Sequence, residues 1–174
     1  MAEIYLKSLF TGPPRLTLAV AESLTAGRVQ ARVSAESGAS TYFRGGITAY
    51  TLESKVRHLG VDRAEAERSA CVSAKVAEQM AQGVCRFFGS DVGVSTTGWA
   101  EPSEENHVYQ PFAWWAVSHW NPVTGQILHQ VSGRVDFPGA SREQVQTGVT
   151  DAVLARLAGY LQVLRGGAGS KPTP

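Results

Sequence analysis

The feature of this chain that most constrains its fold is a short apolar run that ends in a polar corner and leads into a helical pattern. Leu16 to Ala21 are mostly apolar, Glu22-Ser23 follow at once, and "TAGRVQARVSA" then has helical character. A short apolar run bounded by such a corner is typical of a strand buried inside a sheet. We therefore interpret residues 15–23 as a strand and 25–35 as a helix, which together form a β–α unit.

The rest of the chain repeats this alternation. Two more strands are predicted at 45–51 and 91–98, helices at 52–60, 62–70 and 74–89, a strand pair at 112–120 and 126–135, and a helix from 141 to about 165. Residues 121–125 carry the signal of a hairpin turn between the paired strands. The pattern predicts an α/β protein, a single-domain layered α/β/α sandwich with a mixed sheet.

One helix carries a clear core-facing pattern. In the predicted helix 74–89, Val76, Met80, Val84 and Phe87 recur at helical spacing. We expect these four side chains to face the core.

Composition excludes several classes of protein. Of the 174 residues, 43% are hydrophobic and 18% charged, which is typical of a soluble globular domain. The net charge is +1 and Lys and Arg form no run, so neither a nucleic-acid surface nor a membrane surface is indicated. The only cysteines, Cys71 and Cys85, favour a reducing compartment over a disulfide framework. With no signal peptide or membrane span evident, we expect a cytoplasmic location.

Three polar corners lie at or just beyond strand ends, at 22–25, 48–55 and 96–98. Ligands of open α/β sheets bind at the carboxyl ends of strands, where loops meet helix N-termini. Unpaired backbone N–H groups and the helix dipole favour an anion there. The segment 23–27, built of small residues, fits this description.

Ordinary structural roles also account for these residues, without any catalytic or ligand-binding function. Ser23 and Thr25 suit helix N-caps, each contributing about 1 kcal/mol, and taken alone the residues favour this interpretation. Lys55 and Arg142 suit solvated helix positions. The four histidines lack metal-binding spacing, and GxGxxG and GxxxxGK[ST] loops are absent, so no metal or nucleotide-loop site is indicated.

A family resemblance alters this balance. The blocks "TLAVAESLTAG", "GASTYFRGGITAYTLESKVRHLGV", "VSAKVAEQMAQGV", "VSTTGWAEP" and "FPGASREQV" occur in the order found in the CinA C-terminal domain family. The resemblance runs from about Thr17 to Arg165. Characterised members of that family resemble nicotinamide mononucleotide deamidases.

The resemblance implies a Ser/Lys amidohydrolase that converts the carboxamide of a pyridine nucleotide to a carboxylate and ammonia. The family's A-E-S-C-T-G-G falls on Ala21 to Gly27, which implies Ser23 as the nucleophile. Its Y-S-N-E-A-K falls on Tyr50 to Lys55, which implies Lys55 as the general base. We therefore predict that Ser23 and Lys55 come within hydrogen-bonding reach of each other.

The same resemblance implies the remaining site residues and partners. Tyr50 and Thr97 are candidate polar positioning residues, and Thr25 and Arg142 are candidate phosphate or ribose contacts. The other implied substrate-binding positions are Ala26, Gly27 and Gly98. We expect a small-molecule pyridine nucleotide or related amide as the ligand, no metal or other cofactor, and a homo-oligomer.

The loop after the third strand departs from the family. Glu101 replaces a glycine, Gln110 replaces a lysine, and Gln146 stands where the family has a second arginine. If Glu101 and Gln110 line the pocket, we expect a phosphate group to bind there less tightly. Two alternatives to the deamidase therefore stay open: a non-catalytic nucleotide-sensing or partner-binding module, and an amidase for a less phosphorylated amide.

The domain limits and the tryptophans complete the predictions. We assign 1–165 to the CinA C-terminal-like amidohydrolase domain and 166–174 to a flexible tail. Trp99, Trp114 and Trp115 belong either to the core or to an interface.

Overall fold

A computed structural model describes residues 5–167 of the chain. Its strands are β1 (Leu18–Glu22), β2 (Phe43–Thr48), β3 (Val92–Trp99), β4 (Phe112–Trp120) and β5 (Ile127–Asp136). Its α-helices are α1 (Leu6–Thr11), α2 (Arg28–Ser34), α3 (Leu52–Leu59), α4 (Arg63–Arg68), α5 (Ala74–Phe88) and α6 (Arg142–Gly167). A 3₁₀ turn covers Ala39–Thr41.

The five strands form one mixed sheet in the order β2-β1-β3-β4-β5. β1 lies at its parallel centre, paired with β2 on one side and β3 on the other. β3, β4 and β5 are antiparallel neighbours, which confirms the predicted hairpin between β4 and β5. The mixed sheet follows from the connections, because only β4 and β5 are joined to their predecessors without a helix.

Helices cover both faces of the sheet, as the α/β/α prediction requires. Alternate residues of β1 point to opposite faces, so Leu18 and Val20 join one core while Ala19 and Ala21 join another. The first core is packed by α1, α2 and α6, and the second by α3, α4 and α5. The chain is thus a single α/β domain.

Of the four side chains of α5 that were predicted to face the core, three do so and the fourth does not. Val76, Met80 and Val84 are fully buried, whereas Phe87 is 51% exposed. Those three residues follow an i, i+4 row, and that row continues to Phe88, which packs on the second core. Phe87 lies only three positions after Val84, so its side chain falls outside this row.

Several predicted boundaries shift. The helix expected from Thr25 begins at Arg28, because Ala26 and Gly27 have left-handed φ angles of 49° and 101°. β2 covers 43–48 in place of 45–51, and β3 continues through Thr97 and Gly98 to Trp99. α6 continues through Gly166 and Gly167, the first two residues of the predicted tail, and the remainder of that tail lies outside the described residues.

The tryptophans divide between core and partial exposure. Trp115 is buried in the first core, while Trp99 and Trp114 are half-buried. Across residues 5–167, no helix is both long and apolar enough to cross a membrane.

Candidate active site

A pocket of about 360 Å³ opens at the carboxyl edge of the parallel strands. Its lining comes from separate stretches of chain, at 23–24, 50, 55, 70–72, 97–103 and 142. The volume is within the range of small-molecule sites. The fold therefore gathers parts of all three predicted polar corners, together with the start of α6, around one cavity.

Ser23 stands at the floor of this pocket, directly after β1. Its backbone N–H donates to the Thr96 carbonyl at 2.9 Å, which extends the β1–β3 pairing by one residue. The Ser23 carbonyl accepts from Ala26 N at 3.1 Å and so closes a tight turn. The first residue of α2 follows only at Arg28, and the N-cap of that helix is Gly27. The interpretation of Ser23 and Thr25 as side-chain caps of this helix is therefore wrong.

Lys55 reaches Ser23 from α3. The helix is fixed at its start by Thr51, whose hydroxyl accepts from Ser54 N, and at its end by Gly60 in the left-handed region. Lys55 is 1% exposed, so the interpretation of a solvated lysine is wrong. Its Nζ donates to Ser23 Oγ at 2.9 Å, and the predicted convergence of the two side chains is thus observed.

Two backbone carbonyls complete the surroundings of the Lys55 amino group. Nζ also donates to the Ala49 carbonyl at 2.9 Å and to the Tyr50 carbonyl at 3.2 Å. Burial lowers the pKa of Lys55, an effect opposed in part by the nearby Cys71 thiol. A neutral amine has two N–H donors and one lone pair. It can donate to both carbonyls while its lone pair accepts the Ser23 proton.

Glu22 organises the turn that follows Ser23, a role that the sequence reasoning missed. Its fully buried carboxylate accepts from the backbone N–H groups of Gly27, Val29 and Gln30 at 2.9–3.1 Å. The expectation of free, anion-binding amides at the start of α2 is wrong for these three groups, because Glu22 already occupies them. The signal that could have indicated this role is a carboxylate just before a predicted helix start.

Three predicted substrate contacts lie outside the pocket lining. Thr25 is fully buried, and its hydroxyl shares a 2.7 Å hydrogen bond with the Thr96 hydroxyl. Ala26 is exposed, and the Gly27 N–H is taken by Glu22. Ligand contacts by these three residues stay predictions. In the part of the chain that the structure describes, the backbone N–H groups of Leu24 and Thr25 have no hydrogen-bond acceptor.

Arg142, Tyr50 and Glu101 meet at the rim of the pocket. Arg142 Nη1 donates to Glu101 Oε2 at 2.7 Å, and Nη2 donates to the Tyr50 hydroxyl at 3.0 Å. Both contacts raise the pKa of Arg142. The predicted ligand-binding arginine is therefore at the pocket, and it is already paired there with the carboxylate that replaces the family's glycine.

Thr97 and Gly98 lie in β3 and line the same pocket. The Thr97 hydroxyl donates to the Cys71 carbonyl at 2.7 Å and so fixes the segment 70–72 against the strand. Ala70 and Cys71 have φ angles of 48° and 64°, a conformation that residues with a side chain rarely adopt. Their part in the pocket was missed, since no glycine or motif in "SACV" indicates such a turn.

The two other residues that depart from the family pattern, Gln110 and Gln146, lie in different parts of the structure. Gln110 is exposed and is not among the residues that line the pocket, so the condition stated for this loop holds for Glu101 and not for Gln110. Gln146 is buried behind Ser23 instead. Its Nε2 donates to the Leu24 carbonyl at 2.8 Å, and its Oε1 accepts from Arg28. This residue therefore stabilises the backbone next to Ser23.

Comparisons with known proteins agree with this architecture. The model of the CinA C-terminal domain family matches residues 6–161. A competence-damage inducible protein of Desulforamulus reducens is 37% identical over 147 residues, which cover 84% of this chain and 34% of the relative. A CinA-like protein of Chlorobium limicola is 48% identical over 88 residues, covering 51% of this chain and 20% of the relative. The chain thus matches about a third of the length of the first of these curated relatives and a fifth of the second.

A solved structure shares the whole fold. The competence-damaged protein (CinA) superfamily protein of Enterobacter cloacae superposes with a TM-score of 0.79, at 23% identity, over 92% of this chain and 98% of that one. An α/β sandwich with a Ser–Lys pair at the carboxyl edge of its parallel strands is the class that fold and site define. The chain belongs to the CinA C-terminal domain family.

Proposed function

We propose that this protein is a Ser/Lys amidohydrolase that acts on the carboxamide of a pyridine nucleotide or a related small amide, with nicotinamide mononucleotide as the reference substrate. The single observation that carries the proposal is the 2.9 Å contact between Lys55 Nζ and Ser23 Oγ at the floor of the pocket. A buried lysine with a lowered pKa, beside a serine hydroxyl, has the properties of a general base.

In the first step, Ser23 Oγ attacks the carboxamide carbon while Lys55 takes the hydroxyl proton. The negative charge moves to the carboxamide oxygen, for which the free N–H group of Leu24, a residue that lines the pocket, is the proposed donor. Lys55 then returns its proton to the leaving nitrogen. The C–N bond breaks, ammonia leaves, and an ester to Ser23 remains.

In the second step, water replaces ammonia. Lys55 takes a proton from the water as its oxygen attacks the ester carbon, and it returns this proton to Ser23 Oγ as the ester bond breaks. The sum is one carboxamide and one water giving one carboxylate and one ammonium ion. The two carbonyls that hold Lys55 Nζ, at Ala49 and Tyr50, keep the amine aimed at Ser23 through both steps.

The test is ammonia release from nicotinamide mononucleotide and a panel of related amides, with wild type and the Ser23→Ala variant. We expect wild type to release one ammonia per carboxylate formed, and the variant to lose at least about a thousandfold in turnover. The variant should keep its fold, because Ser23 does not cap α2. Equal turnover by both proteins would exclude Ser23 as the nucleophile.

A second candidate function is a non-catalytic ligand-binding module. The observation that favours it is the set of three oxygens around Lys55 Nζ, which can also hold a permanently charged ammonium as a structural cation. Such a protein would bind the same amides and release no ammonia. Calorimetric binding by wild type together with absent ammonia release identifies this alternative.

A further inference from the structure

The charges that line the pocket are few and nearly balanced. Among its described lining residues, only Lys55, Arg142 and Glu101 have side chains that are charged in their usual state at neutral pH. Lys55 is buried and directed at Ser23 and two carbonyls, so it has no N–H left for a distant part of the ligand. Of the described residues that line the pocket, Arg142 is therefore the one cation that a phosphate group can contact.

Arg142 is not free to serve that purpose alone. One side of its guanidinium is occupied by the Glu101 carboxylate at 2.7 Å and another by the Tyr50 hydroxyl at 3.0 Å. The side chains of Arg142 and Glu101 are 45% and 60% exposed. Such a solvated ion pair is weak and a ligand can open it. The carboxylate nevertheless stays on the same rim and repels any second anion that approaches Arg142.

We infer that Glu101 is a specificity-determining residue, which directs this site toward amides whose end distant from the carboxamide carries no phosphate. The inference rests on the proposed function, since it concerns the substrate class of the same site. A neutral sugar hydroxyl can donate to Glu101 and accept from Tyr50 or Arg142 without breaking the charge balance. A phosphate must displace Glu101 from Arg142 and then remain close to its negative charge.

The experiment compares two ligands that differ only in the phosphate, nicotinamide riboside and nicotinamide mononucleotide. The Glu101→Gln variant keeps the size of the side chain and removes its charge. The matched control is Glu104→Gln, which makes the same change of net charge on an exposed residue of the same loop that does not line the pocket. Dissociation constants are measured by calorimetry in the Ser23→Ala background, where no turnover interferes, and kcat/KM is measured with Ser23 present.

We expect wild type to prefer the riboside. Glu101→Gln should shift the ratio of affinities toward the mononucleotide by about tenfold at low salt, with a smaller shift at high salt because exposed charges are screened. Glu104→Gln should leave the ratio within about twofold. An equal ratio in wild type and Glu101→Gln, or equal shifts in both variants, would overturn the inference, as would binding of neither ligand.

The two kinds of measurement separate this inference from the proposed function. The affinity ratio in the Ser23→Ala background tests Glu101 whether or not the protein is an enzyme. Absent ammonia release with a shifted affinity ratio would refute the hydrolase and leave the role of Glu101 supported. Ammonia release with an unchanged affinity ratio would support the hydrolase and refute the role of Glu101.

Discussion

At the scale of single residues, the surroundings of Lys55 both remove water from its amino group and supply that group with hydrogen-bond partners. Burial removes water from its amino group and so disfavours the charged form. Three oxygens nevertheless surround that group within 3.2 Å, which satisfies each of its hydrogen-bonding positions in either protonation state. The residue is therefore kept in place while its proton becomes easier to remove.

The pH dependence of activity follows from this environment. Because a general base acts only when unprotonated, we expect kcat/KM to rise about tenfold per pH unit and to level off at the lowered pKa of Lys55, below its ordinary value of 10.5. A profile of ammonia release between pH 6 and 10 checks this. A flat profile across that range, with the fold intact at each pH, would contradict the role of Lys55 as base.

The same pKa shift predicts a stability effect of defined sign. Between the folded pKa of Lys55 and 10.5, the unfolded chain holds more protons at this residue than the folded chain does. The free energy of unfolding contributed by Lys55 therefore rises with pH across that interval. The Lys55→Met variant should lack this rise when the two proteins are compared by urea unfolding between pH 7 and 10.

The residues of the pocket differ in how far the sequence could predict them. Ser23 and Lys55 were found through motif positions, because a resemblance carries information on residues 32 positions apart that periodicity cannot give. The bond between Glu101 and Arg142 joins positions 41 apart, and one of its members departs from the family pattern, so nothing in the motifs indicated it. Ala70 and Cys71 were missed because their left-handed turn depends on tertiary contacts such as Thr97 to the Cys71 carbonyl.

At the scale of elements, the turn between β1 and α2 is held from both sides. Glu22 binds three amides at the start of α2, and Gln146 of α6 binds the Leu24 carbonyl. Ser23 lies between these two supports. Its position in the pocket thus depends on a short helix whose N-terminal amides are satisfied by Glu22, the residue that precedes Ser23.

Replacement of Glu22 tests this support. In Glu22→Gln one oxygen becomes an NH₂ group that faces backbone N–H donors. We expect unfolding to become easier by about 1–2 kcal/mol and turnover to fall severalfold. Urea unfolding and ammonia release measure both effects, and Glu105→Gln, on an exposed residue, provides the control. Unchanged stability and turnover in Glu22→Gln would show that the turn does not need the carboxylate.

At the scale of the whole molecule, the alternation of strands and helices from β1 onward followed from the sequence, while helix α1 and the exact packing did not. The β–α alternation and the Asn121–Gly125 turn were sufficient to predict the mixed sheet, because short connections enforce antiparallel neighbours and helical crossovers enforce parallel ones. Periodicity alone could not decide between Phe87 and Phe88, since both lie near the edge of the core stripe of α5. Contact with the strands behind the helix decided it, where Phe88 packs on the second core.

The arrangement of the molecule also separates its stability from its site. Phe10 of α1 is fully buried in the first core and stacks on Tyr42 with ring centroids 4.9 Å apart. Helix α1 packs on α6 near Arg165, whose guanidinium donates to the Leu9 carbonyl. Arg142 begins the same helix, and 23 residues at about 1.5 Å each place it roughly 35 Å from Arg165. A defect at Phe10 is therefore remote from the pocket.

We expect Phe10→Ala to lower the free energy of unfolding by about 3–5 kcal/mol, through lost burial and the cavity that remains, and to lower Tm by about 10 °C. Its kcat/KM at 20 °C should stay within about twofold of wild type. Phe87→Ala is the matched control, because this phenylalanine is 51% exposed and its removal should cost about 1 kcal/mol or less. Calorimetric melting and ammonia release on both variants measure the comparison. Equal destabilisation by the two changes would mean that Phe87 is a core residue, as its spacing on α5 first indicated. A large loss of activity in Phe10→Ala would show that the two ends of the sheet are coupled.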